Sequence, residues 1–504
     1  MRLRFWVPSK DVPQRRSTSL SSRSSTDRLT FAVLCAGVTA FSMLQSMVNP
    51  VLPTIQAALD TDQRTVTWLL TAYLLSASVF TPIVGRIGDK VGKERMLVVA
   101  LGALAVGSLL AAVAPSIGVL ILARVVQGVG GGVLPLTFGI IRDEFPAERV
   151  AGAIGTAAAL LAVGGAVGLV VAGPLVEALS YHWLFWLPML LTSIAALAAW
   201  RFVPPSPVRT EGRIDLRAAA LLSSWLVCLL LPVSQGRDWG WTSPLTVGLL
   251  VASALLCALW VRTEVRSDAP LIDMRMMRLP AVWTTNLVSL LFGVGMYAGY
   301  AFLPQFLQTP ERAGYGFGAS VTMSGLLLLP QSLATFVVGL LSGRLAARYG
   351  SKRLLVIGAA LSAVSQVGLA FVHDSTWQVL AATVLGGSAF GLAFAAMSNL
   401  VVEAVPRSQT GVASGMNANI RTVGGAIGGA VLGSVVTAGA RADGLPVEAG
   451  YTAGFAVLAG CSAVAALVAL LVPVSRQPEA EPDEARHVEL ATVPSGTLVS
   501  STAR

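Results

Sequence analysis

Gly85-Arg86-Ile87-Gly88-Asp89-Lys90-Val91-Gly92-Lys93-Glu94-Arg95 lies between two long apolar runs and packs four basic and two acidic side chains into eleven residues. Charge at that density is expensive in hydrocarbon, and glycine permits sharp backbone reversals. The stretch therefore reads as a tight turn joining two membrane helices at the membrane surface. A weaker copy, Gly343-Arg344-Leu345-Ala346-Ala347-Arg348-Tyr349-Gly350-Ser351-Lys352-Arg353, follows 258 residues later, with Ala347 where the first copy has Asp89. The rest of the chain falls into order around this pair of turns.

Of 504 residues, 54% are hydrophobic and 12% charged, and the mean hydropathy is +0.72. Soluble domains carry about 25% charged residues. A soluble core cannot absorb this much apolar surface, so the chain is a polytopic membrane protein. The net charge of +9 lies in loops and reads as orientation rather than affinity for nucleic acid. Cys35, Cys228, Cys257 and Cys461 sit in apolar runs without a C-x-x-C pair, and His182, His373 and His487 form no ligand motif. No G-x-x-x-x-G-K-[ST] loop is present. Neither metal, cofactor nor nucleotide-driven motor is expected, and the chain is not read as an enzyme.

Fourteen apolar segments, each near the ~20 residues that cross a bilayer, are expected. They run over 29–50, 66–87, 95–114, 117–139, 150–173, 183–203, 216–234, 244–262, 283–307, 320–343, 354–372, 377–402, 410–437 and 450–473. The polar, Ser- and Arg-rich stretch 1–28 and the acidic stretch 474–504 are expected to be disordered tails. With the N-terminus inside, the inner loops hold 19 Lys or Arg and the outer loops only Arg64, Arg237, Arg312 and Arg441. A missed helix would reverse every later loop, so this bias supports the count and puts both termini in the cytoplasm. Val163-Gly164-Gly165-Ala166-Val167-Gly168 matches Val423-Gly424-Gly425-Ala426-Ile427-Gly428 at an offset of 260. The chain therefore divides into six-helix halves at 29–203 and 283–473, with linkers and an inserted two-helix hairpin at 204–282. Parallel halves of this kind place a substrate cavity at their interface near the midplane.

Several local patterns agree with that plan: G-x-x-x-D-[RK]-x-G-[RK]-x-R at 85–95, Leu120-Ile121-Leu122-Ala123-Arg124-Val125-Val126-Gln127-Gly128, His182-Trp183-Leu184-Phe185-Trp186, Val48-Asn49-Pro50-Val51-Leu52-Pro53, and Gly411-Val412-Ala413-Ser414-Gly415-Met416-Asn417 with Arg421. Over roughly residues 29–473 the chain resembles the fourteen-helix drug:proton antiporter branch of the major facilitator superfamily. The resemblance implies an all-α membrane fold of 6 + 2 + 6 helices and export of small amphipathic drugs by alternating access. Two departures stand out. The first-helix aspartate of the branch is replaced by Leu44, beside Gln45, and the G-x-x-x-G-P motif ends in Leu169 after Gly168. No Asp or Glu falls in the central part of any expected span.

The candidate site follows from polar groups that a membrane helix carries only for a reason. Arg124, with Gln127 one turn on, either lines the cavity or bonds carbonyls between helices. Gln45 and Asn49 share a helix face, as do Asn417 and Arg421; each pair can hold substrate or a neighbouring helix. Tyr297 and Asn399 are further cavity candidates, while Gly128 to Gly132 and Gly164 to Gly168 read as helix-packing glycines. Gly85, Asp89, Gly92 and Arg95 are assigned to a cytoplasmic gate that bonds the two halves in one state and releases them in the other. The expectation is a monomeric, multi-pass exporter of the inner membrane that exchanges a small-molecule substrate for protons. Arginine and amides without a central carboxylate favour neutral or anionic substrates. An importer or facilitator not coupled to protons is the alternative.

Overall fold

The structure, a computed structural model, describes residues 20–206, 215–267, 270–437 and 445–473. Among them there is no strand and there are fourteen helices long and apolar enough to cross a membrane. The first six are α1 (Leu20–Met47), α2 (Gln63–Val91), α3 (Lys93–Ala112), α4 (Ile117–Glu144), α5 (Ala147–Ala178) and α6 (Trp183–Phe202). The hairpin is α7 (Leu216–Trp239) and α8 (Pro244–Arg266). The last six are α9 (Pro280–Gln308), α10 (Val321–Tyr349), α11 (Ser351–Phe371), α12 (Thr376–Ala404), α13 (Thr410–Thr437) and α14 (Glu448–Leu471).

Two boundaries differ from the sequence reading. Helix α1 starts at Leu20, so residues 20–28 extend the first helix instead of belonging to a tail; residues 1–19 and 474–504 lie outside the described residues. Helix α5 runs through Pro174 to Ala178 instead of stopping near Gly173. Proline inside a membrane helix is tolerated where neighbouring groups satisfy the freed carbonyl.

The charged turn forms as expected. Gly92 takes φ +124°, a conformation that disfavours any side chain, and its N–H closes on the Gly88 carbonyl at 3.0 Å. The turn also holds the start of the first linker. Lys93 N–H donates to Ser206 Oγ at 3.3 Å, and Ser206 N–H donates to Glu94 Oε2 at 3.0 Å. Arg86 ties the second linker to the same place by donating to the Pro270 carbonyl at 2.9 Å.

Within α4 the run Val129–Gly132 tightens to a 3-10 turn. Gly128, Gly131 and Gly132 there face Ser76, Thr81 and Val84 of α2 so closely that a Cβ would overlap them. This is close helix packing by small residues, the usual way membrane helices approach one another.

The halves meet along two seams, α2 against α13 and α5 against α10. Both close by backbone proximity at the end carrying the charged turn. A Cβ on Gly85 would lie 2.5 Å from the Gly411 carbonyl oxygen. A Cβ on Gly343 would overlap the Gly152 backbone, one on Gly155 would overlap Ser342, and one on Gly339 would meet Ala159 Cβ at 2.5 Å. The inserted hairpin lies over the first seam only: α7 packs on both α2 and α13, in an apolar cluster that includes Leu226, Leu230, Val79 and Ile420.

Gly343→Leu should prise the α5–α10 seam apart at a cost of about 1–3 kcal/mol. Labelling of a cysteine at Ser342, which is fully buried, by a membrane-impermeant maleimide should rise at least fivefold. Gly173→Leu, at a position with open space around it, should leave the labelling unchanged.

Candidate functional site

The densest polar assembly sits at the charged turn and crosses between the halves. Helix α13 begins at Thr410, and its first free N–H groups need acceptors. The Asp89 side chain supplies them: Oδ1 accepts from Gly411 N at 3.1 Å and Oδ2 from Val412 N at 2.9 Å. An anion at a helix N-terminus is further favoured by the helix dipole. Lys93, one turn along from Asp89, is fully buried and reaches Asp89 Oδ1 at 3.5 Å and Asp143 Oδ2 of α4 at 2.6 Å. Arg142 adds a second tie to α13, donating to Thr410 Oγ1 at 2.7 Å. Truncating one member of such a buried set leaves an uncompensated charge, which is far costlier than losing an exposed pair.

Of the residues assigned to this turn by sequence, Gly85, Asp89 and Gly92 stand where the contact needs them. Arg95 does not: its side chain is 65% exposed, with Nε 3.7 Å from Glu94 Oε1. The basic group at the seam is Lys93, with Arg142 and Asp143 behind it. The i, i+4 spacing of Asp89 and Lys93 was visible in the sequence; the approach of α4 was not.

Arg124 is buried to 1% exposure. Nε donates to the Leu69 carbonyl of α2 at 3.1 Å and Nη1 to Gln127 Oε1 at 2.6 Å. Gln127 passes the link to Ser108 of α3 at 3.0 Å, and the guanidinium lies 4.4 Å over the Tyr73 ring. These partners all belong to the N-terminal half, so the arrangement ties α2, α3 and α4 together inside that half.

The second buried arginine is placed differently. Arg421 stands mid-helix on α13, its Cζ 4.2 Å over the Phe394 ring of α12. Its bond to Asn417 Oδ1 is long, at 3.3 Å. Asn417 Nδ2 donates to Asn286 Oδ1 at 2.9 Å and Ser289 Oγ at 2.7 Å, both on α9. Gly293, Gly424 and Gly428 bring the α9 and α13 backbones together around this network, and the Tyr297 ring lies on Gly425. Across the seam, Pro135 and Phe138 of α4 line a narrow gap with Ser398, Ser414, Asn417 and Arg421. No carboxylate pairs with Arg421 among the described residues. Ser414 Oγ, which lines this gap, is also buried without a hydrogen-bond partner. An unpaired hydroxyl beside a buried cation, at a gap between the two halves, makes this the candidate polar site.

Gln45 is half-buried on α1. Asn49 belongs to the 3-10 turn Asn49–Val51 that follows; its side chain lies outside the described set. The structure therefore brings Asn417 and Arg421 to the gap, with the Tyr297 ring on Gly425 of the same helix, leaves Asn399 buried on α12 outside the gap's lining, and keeps Arg124 with Gln127 within the N-terminal half. Phe394 and Ser289 were missed because nothing in their local sequence separates them from ordinary helix packing.

Asp89→Asn replaces one acceptor with an N–H group that faces a helix N–H. Losing a hydrogen bond to a charged group costs about 1.5–3 kcal/mol. Hydrogen exchange in the peptide spanning Gly411 and Val412 should speed up at least tenfold. Lys93→Met should act in the same direction, and Arg95→Ala should not.

Comparison with known proteins agrees with this architecture. The sequence profile of the Major Facilitator Superfamily matches residues 34–311 and 287–502. The multidrug resistance protein Stp of Mycobacterium tuberculosis is 30% identical over 397 residues, covering 78% of this chain and 72% of that protein. The multidrug resistance protein B homolog of the same species is 28% identical over 450 residues, covering 86% and 81%. Among solved structures, the human organic anion transporter MFSD10 superposes with TM-score 0.65 at 17% identity, over 88% of this chain and 99% of that one. The proton:xylose symporter XylE does so with TM-score 0.65 at 12% identity, over 90% and 97%. Fourteen membrane helices, two six-helix halves, a charged turn at their seam and a family profile matched along both halves have one reading: this chain is a multi-pass membrane protein of the Major Facilitator Superfamily.

Proposed function

We propose that this protein exports small amphipathic drugs from the cytoplasm by alternating access, in exchange for protons. The observation that carries the reading is the mid-membrane Arg421–Asn417 network, set at a gap bounded by both halves. The names of the relatives, multidrug resistance proteins, support the substrate class. The excess of Lys and Arg in alternate loops puts the charged turn and both termini in the cytoplasm, so the closed seam is the cytoplasmic gate. Each half moves as a rigid body, and Arg124 holds the N-terminal body together. The protein acts as a monomer in the cytoplasmic membrane.

Arg421 sets the charge preference. A guanidinium in a low-dielectric site without an anionic partner attracts an acceptor or an anion and repels a cation. Neutral and anionic substrates are favoured over lipophilic cations. One observation keeps a second reading in view: no Asp or Glu stands in the middle of an expected span, where a proton-carrying carboxylate would be placed. That favours a facilitator without proton coupling.

Reconstituted vesicles under an imposed pH gradient, given matched cationic, neutral and anionic drugs, separate the two. The gradient should drive neutral and anionic drugs toward the compartment that donates protons. Arg421→Ala should lower transport of the anionic drug at least tenfold and of the neutral drug less. Transport indifferent to the gradient would establish the facilitator.

A further inference from the structure

Both linkers that flank the inserted hairpin are fastened to the charged turn. The first is held at Ser206 by Lys93 N–H and Glu94 Oε2, and the second at Pro270, whose carbonyl accepts from Arg86 at 2.9 Å. Pro270 stands on the chain that leads into α9. The Arg86 bond therefore crosses from the N-terminal half to the entrance of the C-terminal half.

Beyond Pro270 the second linker is a buried strap. Leu271 and Ile272 are fully buried. They share one apolar cluster with Leu226 and Leu230 of α7, Val405 just past α12, and Val412 and Met416 of α13. Val412 carries one of the two N–H groups that Asp89 caps. Asp273 then caps the single helical turn Met274–Met277, accepting from Arg275 N at 2.8 Å.

Glu264 fastens this strap to the hairpin. It stands in the last turn of α8 and is 2% exposed, and no cation pairs with it among the described residues. A buried carboxylate without a cation has to be met by hydrogen-bond donors. The Trp260 indole supplies one, with Nε1 3.0 Å from Oε1, and the backbone N–H groups of Ile272 and Leu271 are turned toward the same carboxylate. Oε2 makes no hydrogen bond of its own, so withdrawing the strap would leave the carboxylate with the indole alone. Trp260 is itself set against Trp225 of α7, with ring centroids 5.9 Å apart. Contacts thus run from both helices of the hairpin through Glu264 and residues 270–272 to Arg86, whose charge acts on Asp89.

We infer that the second linker is a strap that holds the cytoplasmic gate shut, and that Glu264 is its positioning residue. The inference rests on the transporter reading above and deepens it. The hairpin braces the Asp89–α13 contact from outside, and Glu264 acts on that contact through the strap and Arg86.

The test is hydrogen exchange in the full-length protein in lipid nanodiscs, without substrate or gradient, read in the peptide spanning Gly411 and Val412. Glu264→Ala removes the anchor and should speed exchange there at least fivefold. Arg86→Met frees the turn from the strap and should do the same. Both act through one strap, so the double variant should stay within twofold of the faster single variant. Peptides from the middle of α8 should exchange as in wild type. Effects that multiply in the double variant would overturn the inference, leaving Glu264 as a packing group of the hairpin and Arg86 as a neighbour of Asp89 only. Wild-type exchange at Gly411 and Val412 in Glu264→Ala would overturn it as well. If Glu264→Ala loosens α8 or fails to fold, Glu264→Gln takes its place in the cycle. It keeps the volume but sets an amide N–H group among donors, and should speed exchange at least twofold, again without multiplying the effect of Arg86→Met. No gradient is involved, so any of these failures leaves the export reading intact. Loss of gradient-driven transport would in turn leave the exchange result untouched.

Discussion

The carboxylate of Asp89 is an N-cap for a helix in the other half of the molecule, and the closed arrangement of the halves depends on it. Helix α13 has no acidic residue in its own first turn, so its exposed N–H groups have to be met from outside. Asp89 meets Gly411 and Val412 while itself buried among Lys93 and Asp143. A contact of this kind is all-or-none. Once α13 shifts by more than a hydrogen-bond length, both acceptor bonds fail together, and water replaces them at little cost on the open side. The seam therefore has two discrete states, which is what alternating access requires.

The two buried arginines show why burial alone does not identify function. Both are nearly inaccessible and both lie over an aromatic ring. Arg124 spends its donors on a carbonyl and an amide that are themselves anchored, so moving it would dismantle the N-terminal half. Arg421 has a single long bond and unpartnered polar neighbours. Each leaves a buried hydroxyl unpaired beside it, Tyr73 Oη at Arg124 and Ser414 Oγ at Arg421, but only Arg421 lines the gap between the halves. Position at that gap marks the candidate site better than charge or depth.

The fold was almost fully legible because the bilayer imposes one length scale and one polarity rule, and the repeat at a fixed offset reveals the halves. Helix α1 began earlier than expected because a helix can run beyond the apolar span into polar sequence. The charged turn was legible as a motif down to Asp89 and Gly92. Arg95 was misassigned to it, since spacing along one chain cannot tell which of two neighbouring cations turns inward. Tertiary approach decides that, as it decides the Arg142–Thr410 bond across 268 residues.

The repeat also explains why only one of the two glycine-packed seams carries a charged contact as well. Ala347 occupies the place of Asp89 in the second copy of the turn, so α10 brings no carboxylate to the start of α5. Helix α5 carries Glu148 in its own first turn, an anion that serves its helix dipole locally, and the α5–α10 seam is closed by glycine contacts at Gly152, Gly155, Gly339 and Gly343. Glycine contact depends on shape and does not respond to protonation or to a ligand's charge. The α2–α13 seam carries groups that could respond to both, Asp89 and Lys93 at its end and Arg421 at its middle. It is also the seam that the inserted hairpin covers. Divergence of the two halves has thus concentrated the electrostatic control on one seam, with Arg421 on the same helix that Asp89 caps. In the proposed transport reading, a substrate that draws Arg421 away from Phe394 would act on the same helix that Asp89 caps.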